Sequence, residues 1–163
     1  MKNTQKLYAS AEEYGRGVAV EMLSRVQSGL TFYLNPTESR TDFVMSATTA
    51  NRQTVYNAET KHRYYNHDHF ADWVLECGKF EELITKPNAL YVNTFKDGYM
   101  AVWSVAHIDG LDLPLNTTQE YPKSSIEQEK GTVIKSVYNV PLTEAYLLVA
   151  PNGEYKINKQ NKR

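Results

Sequence analysis

The chain has one cysteine, Cys77, so it can form no internal disulfide. A lone thiol fits a reducing compartment, where it packs as a small apolar side chain. No apolar run approaches the roughly 20 residues of a membrane-spanning helix. The opening Met1-Lys2-Asn3-Thr4-Gln5-Lys6 lacks the apolar centre of a secretion signal. The expectation is a cytoplasmic protein with no membrane partner. Charge of one sign is also missing: 18 basic residues stand against 19 acidic ones, for a net charge of −1. That disfavours tight non-specific binding to nucleic acid, which draws most of its affinity from neutralised phosphates. It leaves open an acidic site whose charge a metal ion offsets. There is no internal repeat and no low-complexity segment, and 163 residues suffice for one domain with its own core.

What is present begins with Asp42 and, seventeen residues on, Glu59-Thr60-Lys61. Thr41-Asp42-Phe43-Val44-Met45 reads as the opening of one strand, and Gln53 to Lys61 as another. Side chains alternate along a strand, so Glu59 and Lys61 share a face. Two carboxylates and an ammonium at neighbouring strand ends are suited to holding a hard divalent cation beside a phosphodiester. A surface ion pair between Glu59 and Lys61 is the plainer reading. A second acid-x-Lys triplet, Glu154-Tyr155-Lys156, has no aspartate on a preceding strand.

Around these residues the chain alternates helix and strand. Ser10-Ala11-Glu12-Glu13 matches a capping box and predicts a helix from about Ala11 to Gln27, with Tyr14, Val18, Met22 and Val26 as its apolar stripe. Leu30 to Leu34 is a short strand closed by Asn35-Pro36. Asn66 or Asp68 caps a second helix carrying Phe70, Trp73, Val74, Cys77 and Ile84, stopped by Pro87-Asn88. Two strands follow, Ala89 to Phe95 and Tyr99 to Val105, about a Lys96-Asp97-Gly98 turn. His107 to Gly131 reads as a long loop, the place where substrate choice would lie. Thr132 to Tyr138 is one further strand, and Tyr146 to Val149 with Tyr155 to Ile157 a last hairpin about Asn152-Gly153. The basic end, Lys156 to Arg163, reads as a frayed terminus or a loose phosphate contact. Most of the twelve tyrosines fall at alternating strand positions, where packing accounts for them, although such rings also stack on bases.

In this order of elements and these residues the chain resembles the PD-(D/E)XK nuclease superfamily, with its restriction endonuclease-like αβββαβ core. Thr41-Asp42 stands at the variable first motif and Glu59-Thr60-Lys61 at the E-x-K triplet. Gly17-Val18-Ala19-Val20-Glu21 is similar to the first-helix segment that often adds a glutamate. Glu59 to Arg63, Trp73 to Lys79 and Tyr91 to Gly98 resemble phage and bacterial members in particular. The resemblance implies one α/β domain with a mixed central sheet, its core at about 9–105 and a β extension over 106–163. It implies a Mg²⁺-dependent deoxyribonuclease, cutting internally, with Mn²⁺ as substitute metal. Asp42, Glu59, Lys61 and Glu21 would be catalytic; Asp42, Glu59, Glu21 and a carbonyl near Thr60 would hold the metal. Lys79, Arg63 and His62 would touch DNA, and two copies of the chain would pair to cut both strands.

Two other readings stand beside it. A member that keeps the fold and has lost cleavage would bind nucleic acid or protein. Alternatively His62, His67, Asp68 and His69 crowd into eight residues, as zinc ligands do, though helix-capping and surface roles explain them as well.

Overall fold

A computed structural model describes residues 2–36, 41–117, 120–122 and 131–158. The elements run α1 (Lys2–Val26), β1 (Leu30–Leu34), β2 (Phe43–Thr49), β3 (Arg52–Arg63), β4 (Asp72–Glu76), α2 (Cys77–Ile84), β5 (Ala89–Phe95) and β6 (Met100–Ser104). Then come α3 (Val105–Gly110), β7 (Leu115–Asn116), β8 (Glu120–Pro122), β9 (Thr132–Ile134), β10 (Val137–Pro141), β11 (Leu147–Val149) and β12 (Tyr155–Ile157). The fold is mixed α/β. The main sheet has seven strands in the order β1-β2-β3-β5-β6-β11-β12. All its pairs are antiparallel except β3 with β5, which run parallel. Parallel strands need a crossover, and β4 with α2 supplies it. The expected αβββαβ order is therefore present, with β4 inserted before α2, and the C-terminal residues add the β extension.

β5 and β6 carry apolar side chains on both faces because each face is covered. On one side α1 brings Ala19, Met22 and Leu23 against Phe43, Ala58, Val92 and Val102. On the other, Trp73, Leu75 and Leu83 pack with Tyr91, Phe95 and Trp103. A second sheet, β4-β10-β7, covers that side, and among the described residues β8 and β9 form a two-stranded sheet.

Several expectations are corrected. Helix α1 already runs through Ser10, so Ser10 does not start it. A Ser-x-x-Glu pattern is tolerated inside a helix at a cost of only about 0.5 kcal/mol per residue. The side chains of residues 2–11 and the tail 159–163 lie outside the description. The buried stripe of α1 is Gly15, Arg16, Ala19, Met22 and Leu23, while Tyr14 is 62% exposed. Small residues turn inward here: a Cβ on Gly15 would sit 3.2 Å from the Cβ of His62, so glycine lets α1 approach β3 closely.

The second helix is shorter than expected, because Asp72 to Glu76 is strand. Trp73 and Leu75 are buried while Val74 and Glu76 are half-buried, the period of two that pairing with β10 demands. A short apolar run reads equally as helix or strand until its partner is known. His107 to Gly131 is not wholly loop, since α3 extends to Gly110 and β7 and β8 lie within it; residues 118–119 and 123–130 lie outside the description. Thr132 to Tyr138 divides into β9 and β10, which join different sheets. The strand β1 and both later hairpins stand as expected, with Gly98 and Gly153 at φ 84° and 89° in the turns.

Candidate functional site

β3 is the longest strand, and its far end explains why chemistry gathers there. Its pairing with β2 stops at Phe43–Ala58, whereas its pairing with β5 continues to Arg63–Phe95. Among the described residues, Glu59 to Arg63 therefore have no strand partner on the side where β2 would have run, and only the Thr60 N–H there is taken up, by Asp42. Asp42 lies where that pairing stops: its N–H donates to the Ala58 carbonyl at 2.9 Å, and its own carbonyl accepts from Asn35 at 2.9 Å.

The Asp42 carboxylate is held from two sides. Arg16 of α1 donates from Nε to Oδ1 at 2.9 Å, and its Nη2 is also 2.9 Å away. The backbone N–H and hydroxyl of Thr60 donate to Oδ2 at 2.6 and 2.9 Å. Arg16 was not singled out by the sequence. It is 8% exposed, and an arginine on the sheet-facing side of a helix breaks the hydrophobic pattern that locates the core. The signal that could have found it is Gly15-Arg16-Gly17, two glycines in one helical turn, each disfavoured by about 1 kcal/mol.

Glu59 points to the opposite face, where Lys79 of α2 approaches its Oε1 at 3.3 Å. Its side chain is 16% exposed. Its pKa is pushed up to about 7, first by burial and then by the charge of Asp42; Lys79 and Lys61 pull the other way. Asp42 thus acts electrostatically on Glu59 across the strand. Lys61 follows Glu59 on the same face and is exposed. The structure brings together Asp42, Glu59, Thr60, Lys61 and Lys79.

Other residues singled out in the sequence lie elsewhere. Glu21 is on the exposed side of α1, ion-paired to Arg25 at 2.5 Å. Arg63 turns inward: it donates to the Asn93 side chain, to the Val74 carbonyl at 2.6 Å and to the Tyr91 hydroxyl at 2.7 Å. Tyr91 in turn donates to the same Val74 carbonyl at 2.8 Å. Arg63 therefore ties β3 to β4 and β5. Replacing it with Met is expected to destabilise the protein by about 2–3 kcal/mol, because acceptors satisfied by a charged donor are left buried. Urea denaturation measures this; a loss under about 0.5 kcal/mol would mean the guanidinium is dispensable to the fold.

His62 faces α1, its Nδ1 2.8 Å from the Thr94 hydroxyl, and burial lowers its pKa. His69 stacks on Tyr65 at 4.8 Å, and among the described residues neither its ligand atoms nor those of His62 join His67 and Asp68 in a cluster, so the four residues of the zinc reading do not converge. His67, Asp68 and Asp97 do bring three ligand atoms within 4.8 Å of one another. The backbone and Nδ1 of His67 lie 3.1 and 2.6 Å from Asp97 Oδ2, fastening the β3–β4 connection to the β5–β6 turn. Burial raises the Asp97 pKa, but the hydrogen bonds from His67 and Tyr99 outweigh it and hold the carboxyl below its usual range. A depressed carboxyl contributes stability above its unfolded value and loses it as pH falls through the folded one. Below about pH 4 the wild type is therefore expected to lose stability that Asp97→Asn lacks at every pH. Thermal melts from pH 7 to pH 3 check this: the gap between wild type and variant should narrow in acid, and a constant gap would contradict it.

Among the described residues, no helix is long and apolar enough to cross a membrane. Comparison with protein-family models gives no match, and comparison with curated proteins gives none. Among solved structures, the chain is similar to Hjc, a Holliday junction resolvase from the archaeal hyperthermophile Archaeoglobus fulgidus. The identity is 14%, the TM-score 0.46, and the match covers 80% of this chain and 84% of that one.

Proposed function

We propose that the protein is a divalent-cation-dependent nuclease of the PD-(D/E)XK type that hydrolyses DNA phosphodiester bonds. The observation that carries this reading is the electrostatic coupling of Asp42 and Glu59 where the pairing of β3 with β2 stops, with Lys61 on the same face as Glu59. The donor set fits a hard cation: carboxylate oxygens from the residue before β2 and from β3, the latter on a glutamate driven towards protonation by burial and a neighbouring charge. Asp42 and Glu59 would hold Mg²⁺ or Mn²⁺, with the Thr60 carbonyl as a further oxygen ligand. When bound, the ion lowers the pKa of a water and offsets charge on the scissile phosphate.

The chain's own residues supply the rest. Arg16 and Thr60 fix the Asp42 carboxylate in one orientation, so no rotamer search precedes binding. Lys61 is the exposed cation at the site and would neutralise negative charge developing on the phosphate oxygens. Lys79, ion-paired to Glu59, holds that carboxylate in place and would be the second cation for the phosphate. His62 would meet the DNA backbone on the α1 face. Glu21, on the exposed side of α1 with Arg25, has no part in this proposal, nor has Arg63 as a DNA contact. The reading extends to internal cleavage by paired copies of the chain in a reducing, cytoplasmic setting, which the free Cys77 suits.

A second reading, a non-cleaving module that binds nucleic acid or protein, is favoured by one observation. Both carboxylates already carry a protein cation, Arg16 on Asp42 and Lys79 on Glu59. The test is cleavage of supercoiled, linear, single-stranded and branched DNA with Mg²⁺, Mn²⁺ or EDTA. Metal-dependent cutting lost in Glu59→Ala supports the nuclease; folded protein that cuts none of these under any metal supports the silent module.

A further inference from the structure

Beyond the acidic site β3 leads into exposed aromatic surface. Along β3 the α1-facing positions are Thr60, which holds Asp42, and then His62, about 6.6 Å further on. The His62 ring packs edge-on against two tyrosines, Tyr14 of α1 and Tyr64 just beyond β3. The ring centroids are 5.4 Å from His62 in both cases, at interplanar angles of 85° and 84°. Tyr14 and Tyr64 are nonetheless 62% and 61% exposed, among the most exposed large side chains described. Neither contributes to the core. His62 is held in place through its hydrogen bond to Thr94, and Gly15 allows α1 to bring Tyr14 close to it.

We propose that Tyr14 and Tyr64, braced by His62, form a stacking platform for unpaired nucleobases of the nucleic-acid strand whose phosphate lies at the acidic site. This rests on the nuclease reading for the identity of the strand and names its substrate class: nucleic acid with a single-stranded stretch beside the scissile bond. The occupant follows from three features. His62 lies two residues beyond Thr60, which holds Asp42, on the same α1-facing side of β3, so a chain following the strand there meets both. Lys61, exposed on the other face of β3 between Thr60 and His62, offers positive charge for a phosphate backbone that crosses the strand. Aromatic faces accept any base, but only where that base is not already stacked inside a duplex.

The test uses fluorescence anisotropy with a labelled single-stranded oligonucleotide and the same sequence as duplex, at one fixed salt concentration in EDTA so that nothing is cut. Tyr14→Ala and Tyr64→Ala should each weaken single-strand binding by about 5- to 150-fold, and the duplex by less than about twofold. Tyr14→Phe and Tyr64→Phe, which keep the ring, should bind as wild type. The high exposure of both residues keeps the variants folded, and circular dichroism verifies it. Unchanged single-strand binding in folded alanine variants, or equal losses on duplex, would overturn the platform. Because the assay contains no metal, it separates the two ideas. Loss of binding in the alanine variants of a protein that never cleaves keeps the platform and rejects the nuclease; cleavage without this loss does the reverse.

Discussion

Glu59→Gln is expected to make the metal-free protein more stable at pH 8 while lowering cleavage by about a thousandfold. The two effects have one cause. Glu59 is buried beside Asp42, and its pKa stands at about 7 instead of 4.5. A carboxyl raised in the folded state contributes its stability in full below the unfolded value and loses it as pH rises through the folded one. Wild type should therefore weaken between about pH 4.5 and pH 7, by about 3 kcal/mol in all. Glutamine keeps the shape and can still accept from Lys79, but has no charge to bury. In EDTA at pH 8 the variant should gain about 2–3 kcal/mol, and its stability should lack this pH dependence. Cleavage moves oppositely, because the missing carboxylate contributes several kcal/mol, about a thousandfold in rate, to charge stabilisation at the phosphate. Melting curves across pH, with cleavage rates on the same preparations, measure both. A variant less stable than wild type at pH 8, or one cutting within about tenfold of it, would contradict the argument.

The second large effect belongs to Arg16. Arg16 and Asp42 form an ion pair with side chains 10% and 13% exposed. Arg16 also reaches the Asn35 carbonyl at 3.4 Å, and Asn35 in turn donates to the carbonyl and hydroxyl of Thr41. The guanidinium thereby joins α1 to the end of β1 and the start of β2. Arg16→Met should cost about 3–5 kcal/mol, the range for breaking a buried pair and leaving one charge uncompensated. Adding Asp42→Asn should recover much of the loss, since the stranded charge is then gone. Urea denaturation of both singles and the double at pH 7 tests this. A cost under about 1 kcal/mol for Arg16→Met, the scale of an exposed pair, would contradict it.

The local half of the candidate site is legible in the sequence. Asp42 directly precedes β2 and Glu59 to Lys61 sit on β3, strands whose period of two is plain and whose short hairpin sets their register. Periodicity could not disclose what arrives from elsewhere. Arg16 is an arginine in a buried stripe, and hydrophobic pattern alone assigns such a residue to solvent. Lys79 was legible as a cation near the site, but its pairing with Glu59 depends on how α2 returns over the sheet. Arg63 continues the alternation of Glu59 and Lys61 and so looks like part of the site. Only the neighbouring β4, itself hidden in an apparent helix, shows that it points into a polar lock. Glu21 follows a glycine at a suggestive spacing, yet the helix turns it outward to Arg25.

The central claim is that Asp42 and Glu59 form a divalent-cation site. The most direct measurement is Mn²⁺ binding, followed by the loss of free-ion paramagnetic resonance at pH 6 and pH 8 in wild type, Glu59→Gln and Asp97→Asn. Wild type is expected to bind Mn²⁺ more tightly at pH 8, because at pH 6 the ion must displace the Glu59 proton. Loss of that binding is expected in Glu59→Gln and none in Asp97→Asn. Binding that survives in Glu59→Gln and vanishes in Asp97→Asn would place the metal at the His67–Asp68–Asp97 group and contradict the account.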